Sequence, residues 1–385
     1  MKKNEVSIVF TGDIGFDRYM SKKWEDDDLL SSGILDFCHS ADHVCINVEG
    51  ALFSDDGSKA RGEFFHSMNP AAVSVFKKME ADIWCIANNH IMDAGSEGII
   101  STLDIAKESG AVTFGAGLNE YEASNPVYID GAGGIGIIGV GYFDDCVPAT
   151  ETSPGVFRWN AMEKIAERIS EIKKKNRFCV VVAHGGEEFA AMPLSYTRDR
   201  YIKYLEMGAD VVVGHHPHVP ENYELFDNGK AIFYSLGNFI FDTDYQRAHL
   251  YTDIGILLKL IFTDKGISFE AIGTKIDRNT ERIDIGDLPD IFENIDAEEY
   301  SRLESLAAKA YVKEDMRTMI YLKPQIYKNA TSEVWNAYFD KGSEGCVKGE
   351  HLDYELILPV VEKFDEEKWK ESRLDKVKEY IWKLL

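Results

Sequence analysis

Residues 211–242 read VVVGHHPHVPENYELFDNGKAIFYSLGNFIFD, and this stretch decides the fold. Its opening, 210–213, is short, apolar and β-branched, the composition of a buried strand. It runs directly into Gly214-His215-His216-Pro217-His218, so the carboxyl end of that strand carries a cluster of imidazoles. A second apolar run, 231–234, ends in Ser235-Leu236-Gly237-Asn238, a turn sequence in which Asn238 either forms the turn or supports the cluster from behind. Alternate residues of extended backbone share a face, so His216 and His218 are expected to project together, with His215 pointing away as a supporting or core histidine. Pro217 stiffens the spacer.

The same plan recurs upstream. The strand-like run 6–10 ends at Thr11-Gly12-Asp13, 44–48 at Asn47-Val48-Glu49-Gly50, 82–87 at Asn88-Asn89-His90, and 178–183 at His184-Gly185-Gly186; 135–141 adds a further strand. Helical patterns lie between them at 96–109, 161–175 and 198–207. The first carries Ile99, Ile100, Leu103 and Ala106 on one face and meets Gly110 as its stop. This alternation predicts an α/β layered domain. Runs 255–262 and 267–272 predict a closing hairpin around Asp264-Lys265-Gly266. After about residue 275 the character changes. Residues 277–300 are polar and acidic and read as a connector, and helical patterns follow at 298–311 and 361–385. The chain therefore divides into an α/β domain, 1–275, and a mainly helical extension, 276–385, whose last apolar stripe suits packing on the domain or on a second copy of the chain.

Ligands of α/β sheets bind at the carboxyl ends of the strands. Five such ends bearing Asp, Glu, Asn or His converge on one edge. Asp13 and Glu49 offer carboxylates, Asn89 an amide oxygen, the histidines imidazoles, and no thiolate joins them. That donor set suits Mn, Fe, Zn or Mg. A carboxylate flanked by His and Asn also matches a two-metal hydrolytic centre, with ions ~3.5–4 Å apart. Asp93 with Gly95 reads as the turn that fixes the Asn89-His90 loop. Glu187 and Glu188, after the His184 loop, read as a solvated pair, with contact of one of them with the site as the alternative.

The segments GDIGFDR (12–18), INVEGA (46–51), ANNHIMDAGSEGI (87–99), AHGGEEF (183–189), VVVGHHPHVPENYE (211–224) and FYSLGNFIFD (233–242) resemble the CapA family, the capsule or poly-γ-glutamate synthesis family of the calcineurin-like metallophosphatase superfamily. The resemblance covers about the first 245 residues. It implies a four-layer α/β/β/α sandwich and one or two divalent ions. By position, Asp13 would bind one ion, Glu49 would bridge, Asn89 would hold the second, His184 would be the single histidine ligand of its strand, and His216 and His218 would give one imidazole to each. His90 would protonate the leaving group or steady the transition state. Arg18 and His66 would contact an anionic substrate. One position departs from the wider superfamily: its first motif is Asp-x-His, and here Gly15 stands where the histidine would be, so that the site would bind one ion strongly and one weakly or recruit another group such as Asp17 or a water. The implied activity is hydrolysis of a phosphoester or related bond; the alternative is a non-hydrolytic accessory in the synthesis or export of an anionic polymer.

Composition narrows the partners. The 385 residues include 66 acidic and 42 basic side chains, a formal charge of −24. Such a surface argues against nucleic acid and anionic lipid, both of which need a basic footprint. No apolar run reaches ~18 residues, so no membrane insertion and a cytoplasmic protein are expected. The partners expected are a small or polymeric anionic substrate and, through the C-terminal helices, a second copy of the chain. The six cysteines form no CxxC pair and read as buried free thiols. There is no GxSxG, and the glycine-rich 131–136 segment does not form a dinucleotide fingerprint.

Overall fold

The computed structural model describes residues 4–53, 65–142, 146–322 and 332–349. The strands of its two main sheets are, in chain order, β1 Glu5–Ile14, β2 His43–Val48, β3 Ile83–Cys85, β4 Val112–Phe114, β5 Val127–Ile129, β6 Ile135–Gly141, β7 Phe178–His184, β8 Val211–His215, β9 Tyr223–Leu225, β10 Ala231–Phe233, β11 Asn238–Ile240, β12 Ile254–Thr263, β13 Gly266–Asp277 and β14 Arg282–Gly286. The helices used below are α1 Ser32–His39, α2 Val73–Lys78, α3 Gly95–Ser109, α4 Met162–Lys175, α5 Ser195–Met207, α6 Asp244–Arg247, α7 Ala297–Leu322 and α8 Ser332–Val347.

The larger sheet has the order β14-β13-β12-β1-β2-β3-β4, with β11 also pairing β1; the smaller has the order β9-β10-β8-β7-β6-β5. The strands from β1 to β4 are mutually parallel, as are β6, β7, β8 and β10. Every residue of β6, β7 and β8 is buried, as expected for parallel strands covered on both faces. One apolar core runs between the sheets: Val180 and Val213 of the smaller share it with Ile8 and Leu258 of the larger, and the rings of Phe178 and Phe262 lie 5.3 Å apart. Each fully buried Val or Ile there contributes roughly 1.5–3 kcal/mol. Helices α1, α2 and α3 flank the larger sheet, and α4 flanks the smaller, through the fully buried Ile165, Ile169 and Ile172. The architecture is the four-layer α/β/β/α sandwich.

The expected hairpin is β12–β13, a ten-residue ladder closed by the Thr263–Gly266 pair. The structure corrects the acidic connector. Residues 282–286 form β14, an antiparallel edge strand on β13. Ile283 is buried while Arg282, Asp284 and Ile285 are exposed, and Ile283 exchanges backbone hydrogen bonds with Leu29 and Ser31. A single buried isoleucine in an acidic stretch had left no pattern to read.

The chain forms two compact units, one of residues 1–188 and 200–295, the other of 189–199 and 296–385. In the second, α7 and α8 share a small core of Ala308, Val312, Met316, Met319, Val334, Trp335, Tyr338 and Cys346. The helix expected at 361–385 lies outside the described residues. All six cysteines are free and buried, and burial pushes the thiols of Cys38, Cys85 and Cys179 up to about 12. Among the described residues no helix is long and apolar enough to cross a membrane.

Candidate metal centre

Asp13 sits near the end of β1, in register with Asn47 of β2 on one side and Asn238 of β11 on the other. This crowding needs Gly12, because a Cβ there would lie 2.2 Å from the carbonyl oxygen of Gly237. Asn47 Nδ2 donates to Asp13 Oδ1 at 2.7 Å, and the His216 N–H points at Oδ2 at 3.3 Å. His218 Nδ1 lies 3.4 Å from Asp13 Oδ2 and 2.9 Å from Asn238 Oδ1. Asn238 is fixed in turn by donating to Gln246 and to the Thr252 carbonyl. Burial alone would raise the Asp13 carboxyl. The His218 hydrogen bond and the charges of the surrounding imidazoles outweigh it and hold the group below its usual range. Burial would likewise lower His218, but the charge of Glu49 and the contact with Asp13 carry it up to about 10.

Glu49 follows β2 and is wholly buried, yet neither carboxylate oxygen accepts a hydrogen bond. Three imidazole nitrogens surround Oε1 instead: Nε2 of His184 and of His218 at 3.7 Å and Nε2 of His90 at 4.0 Å. These gaps are too long for hydrogen bonds. They are close to the ~3–3.5 Å between donors that share one ion through bonds of ~2.1 Å. Burial, reinforced by the nearby Asp13 charge, pushes the Glu49 carboxyl well above its ordinary value. An unpaired buried carboxylate ringed by imidazoles fits a divalent cation, and Asp13, Glu49 and His218 present donor atoms within 4.8 Å of one another.

The remaining strand ends complete the ring. His184 Nε2 lies 3.0 Å from Asn89 Oδ1, and its Nδ1 lies 3.2 Å from Asn47 Nδ2. Burial holds His184 well below its ordinary value. His90 Nδ1 is bound to Asp93 Oδ2 at 2.7 Å, and the same oxygen accepts the His66 N–H at 2.9 Å. Burial, and then the neighbouring His66, lower His90. His66 is itself buried, paired through Nδ1 with Asp17, and its ring meets that of His90 edge-on at 4.3 Å. Asp17 is thus engaged by His66. Arg18 lies half-buried in the turn after β1, at φ 51°. His215 turns away from the centre and bridges the two sheets, its Nε2 2.8 Å from the Thr11 carbonyl.

Two sequence expectations need correction. His216 and His218 do not share a face of extended chain. β8 stops at His215, and the two residues adopt φ of 96° and 59°, the left-handed region that non-glycine residues seldom occupy. The turn, not strand alternation, brings their rings to 5.9 Å. Nor are Glu187 and Glu188 a solvated pair. Glu187 is buried, and Glu188 joins His216 and His218 as a second group of three donors within 4.8 Å. Burial would raise the Glu188 carboxyl, but those imidazoles and a hydrogen bond from Tyr245 hold it below its ordinary value. Sequence reasoning also passed over two amides. Asn47 shares the strand face of Glu49, two residues on, and so was open to detection. Asn88 clips together the loops that carry Glu49 and Asn89: its Oδ1 accepts from the N–H of Gly50 and of His90, and its Nδ2 donates to the Val48 carbonyl.

Residues 7–243, which contain every candidate ligand of this centre, match the family described as Bacterial capsule synthesis protein PGA_cap. The chain belongs to this family. Curated relatives include the PGA biosynthesis protein CapA of Bacillus subtilis, 33% identical over 248 residues (63% of this chain, 65% of that one), and the capsule biosynthesis protein CapA of Bacillus anthracis, 30% identical over 258 residues (64% and 62%). A probable polyglutamine synthesis accessory protein of Mycobacterium tuberculosis is 25% identical over 224 residues (55% and 59%). The chain thus spans less than two thirds of the length of these PGA_cap relatives.

Proposed function

We propose that this PGA_cap protein is a metal-dependent hydrolase of the metallophosphatase type, acting on a phosphoester or related bond in the metabolism of an anionic capsular polymer such as poly-γ-glutamate. The observation that carries this reading is Glu49, a fully buried carboxylate with no hydrogen-bond donor and three imidazoles facing it. Asp13, Glu49, Asn89, His184, His216 and His218 would hold one or two divalent ions. Bound there, such ions supply Lewis acidity and an acidified water. The protein's own part is positional and protonic. Asn47 and Asn238 fix the orientations of Asp13 and His218. His90, anchored through Nδ1 on Asp93, presents Nε2 toward the centre, where it can give a proton to a leaving oxygen or steady its charge. His66, braced by Asp17, and Arg18 would meet the anionic substrate.

The test is turnover of phosphomonoesters, phosphodiesters and γ-glutamyl amides by protein stripped of and then reloaded with Mn, Fe, Zn or Mg. Metal-stimulated turnover of one class is expected, falling about 10²–10⁴-fold in His90→Ala with metal still bound. Unchanged turnover in that variant would remove His90 from the chemistry. A second reading, a non-hydrolytic accessory with a structural metal, draws on Gly15, which subtracts a donor, and on the accessory designation of the mycobacterial relative. Tightly held metal with no turnover on any class would favour it.

A further inference from the structure

The wider metallophosphatase pattern has a histidine two residues after the first aspartate, and here that position is Gly15. The structure shows why a side chain cannot return there. A Cβ on Gly15 would lie 2.6 Å from the ring of Phe241. That ring is committed elsewhere: it stacks on His218 at 5.0 Å and 20°, and lies 5.1 Å from His66. The volume of the absent ligand is filled by an aromatic that buttresses two other residues of the centre. Asp17, two residues on, has one oxygen held by His66 and the other buried without a hydrogen-bond partner. It belongs to neither group of donors that converge within 4.8 Å, whereas an acid from another element does.

We infer that Glu188 is that donor, a direct metal ligand acting with His216 and His218 in a two-histidine, one-carboxylate set for a divalent first-row ion. Four observations converge on it. Its donor atom lies within 4.8 Å of those of both histidines. Its carboxylate is oriented rather than free: Tyr245 of α6 donates to Oε2 at 3.0 Å, while Oε1 faces His218 Nε2 at 4.0 Å. That is the arrangement of a ligating carboxylate braced from behind by an outer hydrogen bond. His216, only 3% exposed, has an Nδ1 without a hydrogen-bond partner. Finally, His218 belongs to this set and to the Asp13–Glu49 set alike, so the new donor joins the centre already described and does not form an isolated surface cluster. The set is nitrogen- and oxygen-only, which suits Mn, Fe or Zn. Glu188 itself is 34% exposed and stands where the centre meets solvent.

This inference rests on the metal-centre reading above, and the experiment separates the two. Manganese(II) is titrated into metal-free wild-type protein, Glu188→Gln and Glu188→Ala. Bound ion is counted from the loss of the free-ion electron paramagnetic resonance signal, and the metal-induced rise in melting temperature is measured alongside. Circular dichroism and melting of the metal-free forms check that the variants fold like the wild type, as expected for a partly exposed side chain. Wild type is expected to bind manganese, and both variants to bind at least tenfold more weakly or to lose one ion per chain, with a smaller thermal rise. Binding in Glu188→Ala equal in number and within twofold in affinity to the wild type would overturn the role of Glu188 and leave the Asp13–Glu49 centre standing. No binding by the wild type would overturn both.

Discussion

At the residue scale the centre is a place where buried charge is tolerated only in company. Asp13 has Asn47 and His218, whereas Glu49 has no donor at all. A second such acid lies three residues past His218. Glu221 is buried, neither of its oxygens has a partner, and its nearest charged influence is another acid, Glu187. Burial, and then Glu187, raise its carboxyl well above the ordinary value. The sign follows from linkage. A group whose native value is raised binds its proton more tightly in the folded state, so the stability it contributes is complete below the unfolded value of about 4.3 and drains away as pH rises toward the native one. Glu221→Gln, which is neutral at every pH, is therefore expected to melt close to the wild type at pH 4.5. At pH 8 it should melt several degrees higher, a gain of about 1–3 kcal/mol from removing an uncompensated buried group. Melting curves across that range check it, and a pH-independent difference would mean that Glu221 is not the group that titrates. The contrast with Glu188 shows what a sequence can reveal at this scale. Asp13, Glu49, Asn89, His184, His216 and His218 stood out because each closes a run of β-branched residues. Glu188 sits beside an identical neighbour in a loop, and only the tertiary position of Tyr245 and the two histidines distinguishes it.

At the element scale the centre depends on strands and turns approaching more closely than side chains allow. A Cβ on Gly214 would lie 1.9 Å from the carbonyl oxygen of Tyr234, and that atom belongs to the backbone and cannot swing aside. The approach lets the Leu236 N–H reach the Gly214 carbonyl at 3.3 Å, which seats the 235–238 turn against β8. Gly214→Ala is expected to cost at least ~3 kcal/mol, at or beyond the upper end of ordinary overpacking. The displaced turn should also weaken metal binding, because Asn238 at its end holds His218. Urea denaturation with a parallel manganese titration reads both effects, and a variant of wild-type stability would show that the turn can move away without loss. The parallel strands were legible because continuous apolar runs flanked by glycine and polar residues have few other uses. β14 was not, since one buried isoleucine in an acidic stretch sets no period, and the strand is defined by its pairing with β13. The His216–His218 turn was misread for a related reason. Strand periodicity was carried three residues past His215, where the positive φ values of His216 and His218 break it.

At the scale of the whole molecule, the −24 charge and the centre pull in opposite directions. Asp13, Glu49 and Glu188 account for three of 66 acids, so nearly all the negative charge lies elsewhere on the chain. The metal-loaded centre would present positive charge locally, assisted by Arg18 and His66, within a field that repels anions at long range. An anionic substrate therefore approaches against the field and is captured only at short range. Added salt screens the first effect more than the second, because the Debye length falls from ~30 Å at 0.01 M to ~8 Å at 0.15 M, while contacts inside the centre are shorter than either. The kcat/KM toward an anionic substrate is accordingly expected to rise about twofold or more between 0.01 and 0.15 M ionic strength, with kcat nearly unchanged, since steering acts on encounter and not on the bound complex. A neutral substrate analogue, measured in the same salts, should show no such rise. If kcat/KM instead falls with salt, the long-range field at the mouth of the centre is attractive, and the acidic side chains of the first unit must be grouped away from it so that Arg18 and His66 dominate the approach.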